Sequence, residues 1–143
     1  LEPVDMLLSS NTPESISKSM GLGIIGFSQV YARVKPDIVL VIGDRFEMHA
    51  AASAAVPFNI PIAHIHGGEI TEGAIDDSFR HSITKLSHLH FVTTTEYGSR
   101  VIRMGEEPWR VIVSGAPSLD NLYDLDLLSL GNLESELNVS LAF

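Results

Sequence analysis

The chain has 143 residues, 45% of them hydrophobic and 19% charged, a composition typical of one folded globular domain. Its formal net charge of −9 argues against a nucleic-acid-binding protein, because such proteins need a basic surface. No run is long enough to predict a membrane span, and the absence of cysteine excludes disulfides and thiol nucleophiles and fits a reducing, cytoplasmic location.

The first third of the chain predicts a short strand at residues 4–8 and then a long helix. Thr12 followed by Pro13 is a typical helix start, and the helix is expected to run to about Val34, where Lys35 and Pro36 stop it. Three glycines inside this helix have the spacing Gly-x-Gly-x-x-Gly: Gly21, Gly23 and Gly26. Because no strand directly precedes them, close helix packing explains these glycines better than a dinucleotide site does.

Strands and helices alternate through the rest of the chain. Residues 38–42 form an unbroken aliphatic run, which is typical of a strand buried on both faces of a parallel sheet. The further predicted elements are a helix over about 47–56, a strand at 62–66, a helix from about 76 to 87, a strand at 89–93, a helix at 96–104, a strand at 110–113, and one or two amphipathic helices from Leu119 onward. This order predicts an α/β fold with a doubly wound, parallel, Rossmann-like sheet.

Acidic residues follow two successive predicted strands. Asp44 comes after the strand at 38–42, and Glu69 comes after the strand at 62–66. Ligands of open parallel sheets bind beyond the carboxyl ends of the strands, so both acids, with Asp76 and Asp77 at the next helix start, are expected to share one crevice. Crowded carboxylates raise each other's pKa, which suits acid–base catalysis, whereas the alternative is that these acids only cap turns and helices.

Neighbouring residues in these motifs allow more than one interpretation. Gly67 and Gly68 favour a turn in which a polar ligand lies against the backbone rather than a packed core. Arg45 is expected either to anchor an anion or to pair with an adjacent acid, and Arg80 is expected to pair with Asp76 one helical turn before it. The threonines at 93–95 end a strand and could line the same edge, with Thr95 as the expected helix N-cap.

The histidines resemble a metal site without establishing one. His64 and His66 alternate along a predicted strand, with Glu69 close by. Alternate strand residues share a face whatever their role, so we expect histidines that orient carboxylates, with no metal and no cofactor. A metal-dependent hydrolase built on these three residues remains an alternative.

Three ordered motifs resemble a known family. The stretches KPDIVLVIGDRFE (35–47), HIHGGE (64–69) and IDDSFRHSITK (75–85) are similar to UDP-N-acetylglucosamine 2-epimerases, and Arg45 with the Gly67-Gly68-Glu69 turn resembles the hydrolysing branch of sialic-acid-type biosynthesis. The resemblance spans roughly residues 9 to 122. The non-hydrolysing branch of the same family is the alternative.

The resemblance implies a fold, a reaction and a set of residues. The fold would be a glycosyltransferase-B-like pair of lobes, of which residues 1–143 form a single Rossmann-like domain, an incomplete N-terminal lobe; the missing Met at Leu1 and the abrupt end at Phe143 fit a fragment. The reaction would release UDP from C1 and the proton from C2, pass through a glycal-like intermediate, and add water to give a 2-epimeric sugar. The implied catalytic residues are Asp44, Glu69 and Asp76, and the implied substrate-binding residues are Arg45, His66, Gly67, Gly68, Asp77, Arg80 and His81.

Partners follow from the same resemblance. The expected ligand is a UDP-sugar, whose diphosphate would be held mainly by the absent lobe, and the expected assembly is a homodimer. Without that lobe the chain by itself would be inactive, and a purely non-catalytic dimerisation fragment is a further alternative.

Overall fold

The structure is a computed structural model that describes residues 2–72, 75–120, 125 and 127–140. Four parallel strands form one sheet in the order of the chain: β1 (Val39–Ile42), β2 (Ile62–Ile65), β3 (Leu89–Val92) and β4 (Val111–Val113). The helices are α1 (Pro13–Val34), α2 (Phe46–Ala55), α3 (Asp76–Leu86), α4 (Thr95–Arg103) and α5 (Leu130–Leu137). The prediction of a parallel α/β sheet is confirmed, and the helices and strands between Pro13 and Val113 end within two residues of the expected positions.

Helix α1 begins and ends where its sequence signals predict. The Thr12 hydroxyl accepts a hydrogen bond from the Ser15 amide at 3.2 Å, and Lys35 adopts a left-handed conformation (φ +50°) that terminates the helix. Gly23 faces α2, and a Cβ added to it would lie 3.0 Å from that of Ala50. The helix-packing interpretation of this glycine is therefore confirmed.

The helices that connect the strands all cover the same face of the sheet. Val41 of β1 packs in a core cluster with alanines of α2, Thr84 of α3 contacts His64 of β2, and Gly98 of α4 lies against Val92 of β3. Because each strand is added on the same side of the previous one, right-handed crossovers carry every connecting helix over one face.

The opposite face carries exposed aliphatic side chains. Leu40 is 62% exposed and Ile42 is 54% exposed, while Val41, which points to the helices, is buried. Strand β1 also pairs with only one neighbour among the described residues. The prediction that residues 38–42 are buried on both faces is therefore wrong within this chain.

Residues 4–8 were predicted as a strand, and the structure contains no strand there. Met6 is buried against Gly23, and the Leu8 amide donates to the Ser19 hydroxyl at 3.2 Å. The segment crosses α1 instead of extending the sheet, because its polar backbone finds a side-chain partner on that helix.

The remaining differences are local. The N-cap of α4 is Thr94, whose hydroxyl accepts from the Tyr97 amide, rather than Thr95. One tail helix, α5, is seen; the rest of the predicted tail falls partly on residues 121–124, 126 and 141–143, which lie outside the described residues. Of the helices in the described ranges, none combines the length and the hydrophobicity that crossing a bilayer would take.

Candidate active site

The carboxyl ends of β1, β2 and β3 come together at one edge of the sheet. The Gly43 amide donates to the carbonyl of Ile65, and the His66 amide donates to the carbonyl of Phe91, both at 2.9–3.0 Å. Gly43 has φ +77°, a conformation that glycine adopts without strain, and it turns the chain so that Asp44 follows at this edge. The expectation that Asp44 and Glu69 share one crevice is confirmed by the ion pairs described next.

Arg80 connects the two carboxylates. Its guanidinium lies almost entirely buried and donates from Nη1 to Glu69 Oε2 at 3.1 Å and from Nη2 to the Asp44 carboxylate. The same group also donates to the His66 carbonyl at 3.0 Å and to the Thr71 hydroxyl at 2.8 Å. The predicted intrahelical pair with Asp76 is wrong, because Arg80 points from the buried side of α3 toward the sheet edge.

Glu69 accepts hydrogen bonds from three side chains. Besides Arg80, His66 Nδ1 lies 2.7 Å from Oε1, and the Thr93 hydroxyl donates to the same oxygen at 2.9 Å. Burial raises the pKa of Glu69, but the hydrogen bonds from His66 and Thr93 and the charges of His66 and Arg80 outweigh it and hold this pKa below its usual value. The expectation that crowding raises the carboxyl pKa is therefore wrong for Glu69, because a cation and two other donors surround it.

His66 has an unusual backbone conformation for a residue with a side chain. Its φ is +69°, in the left-handed region that non-glycine residues seldom occupy. This conformation lets the His66 amide bond to β3 while its carbonyl bonds to Arg80 and its ring to Glu69. Three interactions thus hold a strained residue at the centre of the site.

The two glycines after His66 are buried, not open. A Cβ on Gly67 would lie 3.1 Å from the His64 ring, and one on Gly68 would lie 2.9 Å from Val101 Cγ2 and would collide with the Tyr97 carbonyl. The Gly68 carbonyl accepts a hydrogen bond from Arg100 of α4. These glycines therefore let the turn pack directly on α4 and on the His64 ring, and the contact of their backbone with a ligand stays a prediction.

The acids at the start of α3 occupy different positions. Asp77 accepts a hydrogen bond from the Thr71 amide at 3.3 Å and lies 3.6 Å from His81 Nε2, so it joins the cluster through Thr71. Asp76 accepts no hydrogen bond from any residue in the described part of the chain and is only partly exposed. Of this pair, therefore, the structure joins only Asp77 to the network around Arg80.

Arg45 faces solvent beside the site. It pairs with Glu47 at 3.2 Å, one of the two outcomes that its sequence position allowed, and its side chain is 70% exposed. Asp44 and Asp76 contribute to the electrostatic environment that raises the pKa of Arg45, although the hydrogen bond to Glu47 is the largest cause.

His64 lies beneath the site rather than in it. Its Nε2 is 2.8 Å from the Gly43 carbonyl and its Nδ1 is 3.4 Å from the Thr84 hydroxyl. Burial lowers the pKa of His64 to about 4, despite the opposing hydrogen bond to Gly43. Among the described ranges, no group of three or more His, Asp and Glu side chains is arranged to hold a metal ion, so the geometry gives no support to the metal-dependent hydrolase.

Two contacts of this site were not identified from sequence. Thr71 bridges Arg80 and Asp77, and Arg100 fixes the turn through the Gly68 carbonyl. Thr71 lies in the irregular connection before α3, and Arg100 lies in α4, the third element after that connection, so no periodicity or spacing points to either residue. Thr93, which was expected only as a possible part of the edge, contacts Glu69 directly.

Comparison with known proteins identifies relatives of the whole chain. Residues 1–141 match the family described as UDP-N-acetylglucosamine 2-epimerase. The chain is 41% identical over 138 residues to the GDP/UDP-N,N'-diacetylbacillosamine 2-epimerase (hydrolyzing) of Campylobacter jejuni, covering 96% of this chain and 36% of that protein. It is 46% identical over 120 residues to the UDP-N,N'-diacetylbacillosamine 2-epimerase (hydrolyzing) of Legionella pneumophila, covering 84% of this chain and 31% of that protein.

A solved structure shares the fold. The UDP-GlcNAc 2-epimerase from Neisseria meningitidis bound to UDP-GlcNAc superposes with a TM-score of 0.76 at 25% identity, covering 92% of this chain and 37% of that one. The chain thus spans about a third of the length of the relatives that it matches.

Proposed function

Since the chain belongs to the UDP-N-acetylglucosamine 2-epimerase family, we propose that the protein carrying it is a hydrolysing 2-epimerase of a UDP-linked 2-acetamido sugar. The observation that supports this most is the Asp44–Arg80–Glu69 cluster at the carboxyl edge of the sheet. This edge is where open parallel sheets bind their ligands.

The proposed reaction has two halves. A base removes the C2 proton as the C1–O bond to UDP breaks, which leaves a C1=C2 double bond; water then adds its oxygen to C1 while a proton returns to the opposite face of C2. Positive charge develops at C1 as UDP leaves, and carboxylates stabilise such a centre. Asp44 and Asp76 are our candidates for that role, and His66, Asp77, Arg80 and His81 are proposed to shape the sugar site.

The diphosphate needs positive charge that this chain does not supply in quantity. Arg80 is committed to two carboxylates, and the chain carries a net charge of −9. Arg45, which is exposed beside Asp44, is the described cation best placed to reach a phosphate. We therefore propose that most diphosphate contacts come from parts of the protein outside this sequence.

The same reasoning supports an incomplete lobe. A further strand would pair with the open edge of β1, and helices on the second face of the sheet would cover the exposed side chains of Leu40 and Ile42. We propose that the rest of the protein covers them, and that the whole protein is a cytoplasmic homodimer. The relatives' threefold greater length is consistent with this proposal.

The substrate is proposed to carry acetamido groups at both C2 and C4. The relatives with 46% and 41% identity are named for diacetylbacillosamine. UDP-N-acetylglucosamine is the second candidate, because the family bears its name.

The test is proton NMR in D₂O of the full-length protein with each UDP-sugar. The proposal expects free UDP and a free 2-epimeric sugar with one deuterium at C2. Asp44→Asn should abolish both products, whereas Glu14→Gln, the same kind of change at an exposed site of α1, should leave them unaltered. Deuterated sugar that stays linked to UDP would assign the protein to the non-hydrolysing branch, and no exchange with either substrate would refute the proposed activity.

A further inference from the structure

We propose that His66, and not Glu69, is the base that takes the C2 proton, and that Glu69 is the carboxylate that positions the His66 ring. This inference rests on the proposed 2-epimerase function and assigns one of its steps. It comes from the hydrogen bonds of the two side chains and from the backbone of His66.

Glu69 is poorly suited to accept a further proton. Its two oxygens already accept from His66 Nδ1, the Thr93 hydroxyl and Arg80 Nη1 at 2.7–3.1 Å. A carboxylate held by several donors, one of them a guanidinium, is stabilised in its ionised form. Such a group is a weak base, but it is a good anchor for a neighbouring imidazole.

The ring of His66 has the complementary properties. Because ionised Glu69 can only accept, Nδ1 carries the proton of their hydrogen bond, which leaves Nε2 with a free lone pair. Within the residues that the structure describes, Nε2 has no hydrogen-bond partner, and it is not among the buried unpaired nitrogens, which include those of His81 and His90. The His66 side chain is 21% exposed, and its basic nitrogen is left without a partner while Nδ1 is fixed, as in a carboxylate–histidine pair.

The backbone supplies a second, independent observation. His66 is held at φ +69° by its amide bond to Phe91 and its carbonyl bond to Arg80. Strained conformations of this kind concentrate at functional sites, where surrounding contacts maintain them. A residue needed only to fill the turn would be glycine, which adopts this φ freely.

The proton balance of the step is simple. The C2–H bond breaks, its electron pair forms the C1=C2 bond, and the C1–O electron pair leaves with UDP. The proton moves to His66 Nε2, and Glu69 stabilises the imidazolium through Nδ1–H. The other charged groups near the ring are Arg80 and Asp44, while His64 lies below the turn and stays neutral because burial lowers its pKa to about 4.

The experiment exploits the positive φ. His66→Gly removes the ring in a conformation that glycine tolerates, so the fold is expected to persist and imidazole can enter the vacated space. In the full-length protein this variant should lose about 100-fold or more of the rate of C2 proton exchange in D₂O, and added imidazole should restore it with saturation. Lys35→Gly is the matched control, because Lys35 also has a positive φ (+50°) but caps the end of α1, outside the site. This variant should keep the wild-type rate of C2 proton exchange, and added imidazole should not alter that rate.

The Glu69→Gln variant separates the two residues. If His66 is the base, this variant keeps the ring and retains part of the C2 proton exchange, because the amide oxygen of glutamine can still accept the hydrogen bond from Nδ1. Complete inactivity of Glu69→Gln while it still binds UDP, or His66→Gly turning over within tenfold of the wild type without imidazole, would overturn the proposal. So would His66→Gly that binds UDP but is not rescued.

Two further results keep the test decisive. If His66→Gly does not fold, His66→Asn replaces it, since asparagine tolerates positive φ; it must lose exchange and keep UDP binding, and retained exchange would overturn the proposal. Absence of exchange in the wild type itself would refute the proposed function rather than the role of His66.

Discussion

Arg80 on α3 donates a hydrogen bond to the carboxylate of Asp44, which follows β1, although 36 residues separate them in sequence. The same guanidinium holds Glu69. One buried cation therefore keeps two acids from neighbouring strands in the same crevice, and it is the central contact of the candidate site.

Removing the charge of Arg80 should destabilise the protein. Arg80→Met leaves Asp44 and Glu69 close together without a cation, and we expect the free energy of unfolding to fall by about 2–3 kcal/mol. The loss is smaller than for a fully buried ion pair, because both acids are partly exposed. Urea unfolding at pH 7, followed by circular dichroism of the full-length protein, measures the loss. Arg33→Met, which breaks only an exposed pair with Glu2, should cost less than about 0.5 kcal/mol; equal losses in the two variants would contradict the prediction.

Gly68→Ala should be more damaging than the same change at another glycine with the same φ. Gly68 and Gly115 both have φ +79°, so each variant incurs the backbone strain of about 1 kcal/mol. Only Gly68 lies against α4, where the new methyl would collide with the Tyr97 carbonyl, so we expect a further loss of about 1–3 kcal/mol. The difference between the unfolding free energies of the two variants measures the clash with the Tyr97 carbonyl. A difference near zero would show that this clash does not occur.

Stability should decrease as the pH falls from about 6.5 to about 4. Burial lowers the pKa of His64 to about 4, so the native protein keeps this ring neutral while the unfolded chain protonates it below about 6.5. Stability from this residue is therefore present above pH 6.5 and is lost as the pH falls; at about 1.4 kcal/mol per pKa unit it amounts to about 3 kcal/mol. Burial also lowers the pKa of His90, which adds loss of the same sign.

Unfolding free energies between pH 4 and pH 7 test this dependence. His64→Gln should lower stability at pH 7 and flatten the slope, because the variant has no ring to protonate. If His64→Gln kept the slope of the wild type, the assignment of the pH dependence to His64 would fail.

The exposed face of β1 yields a test of the incomplete lobe. If the rest of the protein covers Leu40, then Leu40→Ser in the full-length protein should cost about 2–4 kcal/mol, as for a large-to-small change in a core. Leu40→Met, which conserves volume, should cost less than about 1.5 kcal/mol. A change below about 0.5 kcal/mol for Leu40→Ser would show that this face remains in solvent.

Most of the architecture could be predicted because its signals are local. The N-cap at Thr12, the stop at Lys35 and the aliphatic runs of the strands each depend on a few adjacent residues, and all appear where expected. The strand predicted at residues 4–8 is absent from the structure, because a short apolar run is compatible both with a strand and with an extended segment packed across a helix.

The sequence alone determined which side chains follow each strand, since strand order along a parallel sheet brings Asp44 and Glu69 to one edge whatever their partners are. It could not determine those partners. Asp76 lies within one helical turn of Arg80, and nothing in the sequence indicates Asp44 as its partner. Which acid Arg80 pairs with depends on which face of α3 is buried against the sheet. The conformation of His66 and the packing of Gly68 on α4 are likewise tertiary, because each results from contacts with elements that lie far along the chain. Local propensity fixes the elements, and their packing fixes the charges and hydrogen bonds of the site.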